Sequence, residues 1–229
     1  GVRSTAVLLA VGITVKGYRE ILGLEVAYGE TKEAWQSFFR ALRQRGLRGV
    51  EYATSDAHEG LRAALLQTFP GVIWQRCQAH FMRNVLDKTP ESCREKMHAW
   101  LRRILHAGSP EKARAAFEEA QAELEGEADQ GLSCLEEGFE DATAVLVMPE
   151  KYRKRLRTTN MVERFIEEIR RREKVVRIFP NARSVWRLVG ALAAEQHDEW
   201  STGRRYLNMD SYYQWAASHE TAAELPKAA

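Results

Sequence analysis

Along the first thirty residues the apolar positions come in two β-rich runs, STAVLLAVGITV and YREILGLEVAYG, joined at Lys16-Gly17. A tight glycine-containing connection between such runs predicts a β-hairpin. The period then changes. In TKEAWQSFFRALRQRGL, Trp35, Phe38, Phe39 and Leu42 fall at i, i+3, i+4 and i+7, one face of a helix, with Thr31 as N-cap and Gly46 as stop. GVEYATSD reads as a short strand running into AHEGLRAALLQTFP, a helix that stops before Pro70. GVIWQRC is another short strand, followed by QAHFMRNVLDKT. Hairpin, helix, strand, helix, strand is an α/β order and predicts a mixed sheet.

From about Pro90 to Pro149 the pattern turns helical, most clearly in REKMHAWLRRILHA and PEKARAAFEEAQAELEGEA. Two further helices are expected at 160–174 and roughly 182–200, and the aromatic tail RRYLNMDSYYQWAAS is expected to pack on the rest. No repeat, low-complexity tract or Ser/Gly linker interrupts the chain. The economical organisation is one α/β core with a helical insertion: residues 1–88 the first part of the core, 89–152 the insertion, and 153–229 the remainder.

Composition fits this reading. With 45% hydrophobic and 29% charged residues in 229, the chain has apolar matter for a sizeable core. Its longest apolar run, TAVLLAVGITV, is far shorter than the roughly 20 residues of a membrane span, and no secretory signal is recognisable. Cys77, Cys93 and Cys134 are an odd, sparse set and do not read as a disulfide framework, so a reducing cytoplasm is expected. Charge is unevenly spread. Glu111 to Glu150 holds twelve acids and two bases, a local −10; Lys151 to Arg177 holds eleven bases and four acids, a local +7. Two solvated helical faces account for such runs; so does a basic block that meets phosphate.

Four residues are candidates for chemistry. Asp56 ends a strand and begins a helix in TSDAHEGL. It suits an N-cap, with Glu59 closing a capping box, and it also stands where ligands gather in open α/β sheets, outside the carboxyl end of a strand. Glu163 carries the same ambiguity. Asn160 and Glu163 have capping-box spacing, yet Val162, Phe165, Ile166 and Ile169 form the buried stripe of that helix, with Glu163 and Arg170 on its edge. Cys77 and His80 in WQRCQAHF have the spacing of half a zinc site, but a structural zinc takes four ligands, and the other cysteines have no partner at a matching distance. A core cysteine beside a hydrogen-bonded histidine, or a pair supporting a nearby metal site, fits the same residues. Neither a GxxxxGK[ST] nor a GxGxxG loop is present, so nucleotide binding of those kinds is unsupported.

Taken in order, GYREILGLEV, SDAHEGL, WQRCQAHFMRN, RTTNMVERFIEEIRRR and RIFPN resemble the bacterial Mutator-type insertion-sequence transposases. The likeness covers nearly the whole chain. It implies a ribonuclease H-like mixed sheet with an all-helical insertion before the last catalytic acid, and a DDE triad holding two divalent ions, normally Mg²⁺ with Mn²⁺ a possible substitute. Asp56 then matches the second aspartate and Glu163 the glutamate, 107 residues on. Cys77 and His80 match the family's C-x-x-H signature near the site. Arg164, Arg170, Arg171, Arg172 and Lys174 would contact DNA, and the protein would act as a homo-oligomer on insertion-sequence ends and target DNA in the bacterial cytoplasm, associated with the nucleoid when active. Two metals beside an anionic phosphate can activate a nucleophile and stabilise a leaving alkoxide, and carboxylates are the oxygen ligands Mg²⁺ prefers.

One departure is expected to matter. In the family the first catalytic aspartate lies on a first strand ahead of the segment matching GVRSTAVLLAVGI, and Glu20, Glu25 and Glu30 are at the wrong place to replace it. That strand is central in the implied sheet, so the sheet is expected to be incomplete here, with unpaired edges. These 229 residues alone are expected to give no transposition. The alternative function is a DNA-binding or interaction fragment of a decayed transposase that has lost the chemistry.

Overall fold

The computed structural model describes residues 6–176, 179 and 181–220. Of the stretches singled out above, Gly1 to Thr5 and most of RIFPN lie outside the described residues. The chain divides into two compact units, one gathering the described residues of 1–50, 59–71 and 160–229, the other 51–58 and 72–159.

The first unit opens with the expected hairpin. β1 (Ala6–Ile13) and β2 (Arg19–Ala27) pair antiparallel from Ala6↔Ala27 to Ile13↔Arg19, with a bulge at Leu22 where Ala10 faces Gly23 and Val11 faces Ile21. At the turn Gly17 adopts φ +85°, a conformation natural to glycine. Helix α1 (Lys32–Gln44) begins where the pattern placed it, Thr31 Oγ1 accepting the Ala34 N–H at 3.2 Å, and it buries Trp35, Phe38, Phe39 and Leu42. Gly46, at φ +106°, ends it. α1 packs on α2 (Glu59–Thr68), with the Phe39 and Phe69 rings 5.8 Å apart. α8 (Asn160–Val176) and α9 (Ala182–Thr202) supply Phe165, Ile169, Val189, Leu192 and Trp200 to a core closed by Val7, Leu9 and Val11 of β1. α10 (Met209–Glu220) follows; Leu207 ahead of it is buried, and of the tail's aromatics Tyr206, Tyr212 and Trp215 are half-buried while Tyr213 is exposed.

The second unit is built on a parallel pair, β3 (Tyr52–Ser55) and β4 (Ile73–Arg76), in register from Tyr52↔Ile73 to Ser55↔Arg76. Five helices complete it: α3 (Gln78–Asp87), α4 (Arg94–Leu105), α5 (Pro110–Leu124), α6 (Asp129–Thr143) and α7 (Glu150–Leu156). Phe81, Met97, Leu101, Ile104, Leu135 and Val145 lie at the centre of a continuous apolar core, each side chain essentially removed from water. Burial of that kind contributes about 1.5–3 kcal/mol per large side chain.

Strands of both senses are present, and the mixed sheet, expected to be incomplete with unpaired edges, is not continuous among the described strands. The described strands form two separate two-stranded sheets, one antiparallel and one parallel. No described strand pairs with both β1 and β3, so the hydrogen-bonding edges that would join the pairs have no common partner.

Buried polar groups tie β4 to the helices. Gln75, fully buried, donates through Nε2 to Ala142 O at 2.8 Å and Arg76 O at 2.6 Å. Its Oε1 accepts the Val145 N–H at 2.6 Å and the Tyr52 hydroxyl at 3.2 Å. Burial pushes the Tyr52 hydroxyl well above the usual phenol range and so keeps it a donor. Gln78 Nε2 adds a second bond to Ala142 O, at 2.9 Å. These amides meet the carbonyl and N–H released where α6 gives way to a 3₁₀ turn at Ala144–Val147.

Candidate functional site

Asp56, Cys77 and His80 belong to the second unit, and the parallel register places them at one end of it. Asp56 follows the last residue of β3 and Cys77 the last residue of β4; the Cys77 N–H donates to Ser55 O at 2.7 Å. Ser55 is itself fixed, its hydroxyl accepting Trp74 Nε1–H at 2.9 Å and donating to Asp56 O at 2.8 Å. The Asp56 side chain is exposed and takes no hydrogen bond or ion pair among the described residues. α2 begins at Glu59, three residues further on, so Asp56 does not occupy the position that precedes a helix. An exposed carboxylate with open lone pairs at the carboxyl end of a parallel pair could supply one oxygen ligand to a hard cation.

Cys77 differs. Its thiol is fully buried and accepts two bonds from Thr159, from the hydroxyl at 3.2 Å and the N–H at 3.5 Å. The segment before Thr159 is held in the same place. Leu156 O accepts the Thr54 hydroxyl at 2.5 Å, and Arg157 O accepts the Gln78 N–H at 2.9 Å, so the chain leaving α7 satisfies a donor at the start of α3. A thiol so engaged is a poor match to a hard cation. His80 is half-buried on the first turn of α3; the Asn84 amide, in the orientation that satisfies both of its ends, donates to the His80 carbonyl at 3.2 Å and accepts from Arg76 Nη2 at 3.0 Å. Arg76 lies over the Phe81 ring, 4.7 Å from its centre.

Glu163 and the basic residues of α8 belong to the first unit. Glu163 is half-buried, and α8 starts at Asn160, so Asn160 is helical rather than the residue outside the helix that a capping box needs. Phe165 and Ile169 of the expected stripe are buried; Val162 and Ile166 are half-buried. The five basic candidates divide. Arg164, Arg170 and Lys174 are exposed with no carboxylate partner among the described residues. Arg171 and Arg172 share Glu168, Arg171 through Nε and Nη2, both at 2.7 Å, and Arg172 through Nε at 2.8 Å. Hydrogen bonds from Arg171 and then Arg172 hold the Glu168 carboxyl at about 2.

Glu168 stands three and four residues before Arg171 and Arg172, a helical spacing that marks it as their partner from the sequence, whereas Thr159 as the partner of Cys77 has no such local signal. Sequence reasoning also counted Arg153 in the basic block, whereas that guanidinium donates to the carbonyls of Met148, Leu146, Ala107 and Gly108 and is structural. Among the described residues no helix is long and apolar enough to cross a membrane.

With this geometry in hand, comparison with known proteins gives the class. Residues 1–203 match the family model described as transposase, Mutator family, and the chain belongs to that family. It is 43% identical over 209 residues to the transposase for insertion sequence element ISRM5 of Rhizobium meliloti, covering 91% of this chain and 52% of that protein. It is 40% identical over 205 residues to the transposase for insertion sequence element IS256 in transposon Tn4001 of Staphylococcus aureus, covering 88% and 52%. The transposase for insertion sequence element IS1081 of Mycobacterium tuberculosis is 40% identical over 207 residues, covering 89% and 49%. The chain spans about half the length of the curated relatives it matches.

Proposed function

We propose that this chain is the catalytic portion of a DDE-type transposase that cuts insertion-sequence ends and joins their 3′-hydroxyls to target DNA. The observation that carries the reading is the open carboxylate of Asp56 at the carboxyl end of β3, in a chain that belongs to the Mutator family. Asp56 and Glu163 would hold divalent ions, Mg²⁺ or Mn²⁺, which supply charge neutralisation and an activated nucleophile when bound. Cys77 and His80 would shape the surroundings of Asp56 without ligating. Arg164, Arg170 and Lys174 would hold flanking phosphates, and Arg171 and Arg172 would do so on exchanging Glu168 for phosphate. A ribonuclease H-like fold and assembly as a homo-oligomer on DNA go with this reading. The triad calls for one more aspartate, which the family resemblance puts on a strand ahead of β1, so these 229 residues alone are expected to give no strand transfer.

The test uses the complete transposase and a duplex bearing its terminal repeat. Asp56→Asn and Glu163→Gln should each abolish Mg²⁺-dependent cleavage and leave thermal stability within about 1 kcal/mol, the scale of a lost cap. Either variant cleaving at the parental rate would sink the assignment of that residue. A second reading, DNA binding without chemistry, draws on the free bases of α8; it predicts binding by the parent protein but no Mg²⁺-dependent product.

A further inference from the structure

The turn of the β1–β2 hairpin and the link from α9 to α10 are stitched together within the first unit. The N–H groups of Tyr206 and Leu207 both donate to Gly17 O, at 2.8 and 3.1 Å. This junction gathers bases from two distant stretches of sequence: Lys16 and Arg19 from the hairpin, Arg204 and Arg205 from the link. Lys16, Arg204 and Arg205 are exposed, and Arg19 is half-buried.

Two of the four, Arg19 and Arg205, lie against aromatic rings. The Arg19 guanidinium lies 4.8 Å from the centre of the Trp200 ring and 5.0 Å from that of Tyr206, and Arg205 lies 5.8 Å from that of Tyr18. No carboxylate pairs with any of the four among the described residues, and the Arg19 Nε is buried with no hydrogen-bond partner. Asp210, in the first turn of α10, is the acid that follows the link in the chain. Rings that hold a guanidinium by its face leave its N–H edge for an outside acceptor, and phosphate oxygens match that edge. Like charges gathered without a counter-ion repel one another, and the repulsion is relieved when an anionic backbone arrives. The contrast with Arg171 and Arg172 is direct, since those two already share a carboxylate.

We propose that Lys16, Arg19, Arg204 and Arg205 form a second contact with the phosphate backbone of duplex DNA, additional to the bases of α8 and carrying no sequence preference. The proposal rests on the DNA reading above. Its test is a fluorescence-anisotropy titration of the protein with a terminal-repeat duplex and with an unrelated duplex, from about 50 to 200 mM salt, where each released counterion sets the slope. The variants are Lys16→Ala/Arg204→Ala/Arg205→Ala, all exposed positions, and Arg164→Ala/Arg170→Ala/Lys174→Ala, with melting curves as fold controls. For the first triple the slope of log Kobs against log salt should become shallower by roughly 0.9 per lost contact, about 2–3 in all, by the same amount on both duplexes. A parental slope and affinity in that triple, while the α8 triple weakens, overturns the proposal alone. Loss confined to the terminal-repeat duplex also overturns it, because the patch would then be reading bases. A parent protein that binds neither duplex at low salt overturns the DNA reading and this proposal together.

Discussion

The thiol of Cys77 accepts the hydroxyl of Thr159 at 3.2 Å, although 82 positions separate the two residues in sequence. With Thr54 and Gln78 bonding the carbonyls of Leu156 and Arg157, it pins the end of the segment that leads directly into α8. The bond needs an acceptor at this position and does not need thiol chemistry. Cys77→Ser should therefore keep the Thr159 N–H protected from hydrogen exchange, and Cys77→Ala should expose it and cost about 0.5–1.5 kcal/mol. Equal loss in Ser and Ala variants would mean that sulfur itself is required.

Gln75 is a fully buried amide whose two ends are both used. Gln75→Leu keeps much of the volume but strands the Val145 N–H and the Tyr52 hydroxyl. The expected cost is about 1–3 kcal/mol, read as a lower urea midpoint. An unchanged midpoint would mean that water or a rearranged neighbour replaces the amide.

Glu168 links acidity to charge on α8. Its folded pKa, about 2, lies below the ordinary carboxyl value of 4.5, so its stabilising effect is complete above 4.5 and disappears as pH falls toward 2. A carboxyl carbon resonance titrating near 2, and moving up in Arg171→Ala, is the expected NMR result. Glu168→Gln should also release Arg171 and Arg172 and steepen the salt dependence of DNA binding. A resonance that titrates in the ordinary range would place both arginines in free solution.

Gly17 tolerates nothing larger. A Cβ there would stand 2.0 Å from Leu207 O, and φ +85° is strained for any L side chain. Gly17→Ala should cost roughly 1–3 kcal/mol and raise hydrogen exchange at Tyr206 and Leu207. Parental exchange at both amides would show that the hairpin turn and the link do not depend on one another.

Where a signal is local, the sequence displays it. α1 is legible because one apolar face, one capping threonine and one terminating glycine agree along a single stretch. The hairpin is legible for a similar reason, though its bulge at Leu22 is not. α6 is hard to see because Gly131 and Gly138 lower its helical signal. Their reason is tertiary: a Cβ at Gly138 would lie 2.4 Å from the Phe81 ring, and one at Gly131 would lie 2.4 Å from Thr89 Oγ1. The separation of the strands into two pairs depends on partners, which a hydrophobic pattern does not name. At the candidate site Asp56 is visible as an acid after a strand. The anchoring of Cys77 by Thr159 has no local trace, since nothing in WQRC or RTTN points to the other.

The amide of Gln75 bears finally on how the chain can be cut and rejoined. A helical stretch that interrupts an α/β pattern invites removal, as though it were a module clipped onto a frame. Gln75, on a strand, needs Val145 and Ala142 from that stretch, and Gln78 needs Ala142 as well. A shortened protein with Arg94 to Val147 replaced by a linker would strip Gln75 of Ala142 O and the Val145 N–H, and Gln78 of Ala142 O. Minimisation of this protein has to begin by recoding Gln75 and Gln78, or else retain the helices.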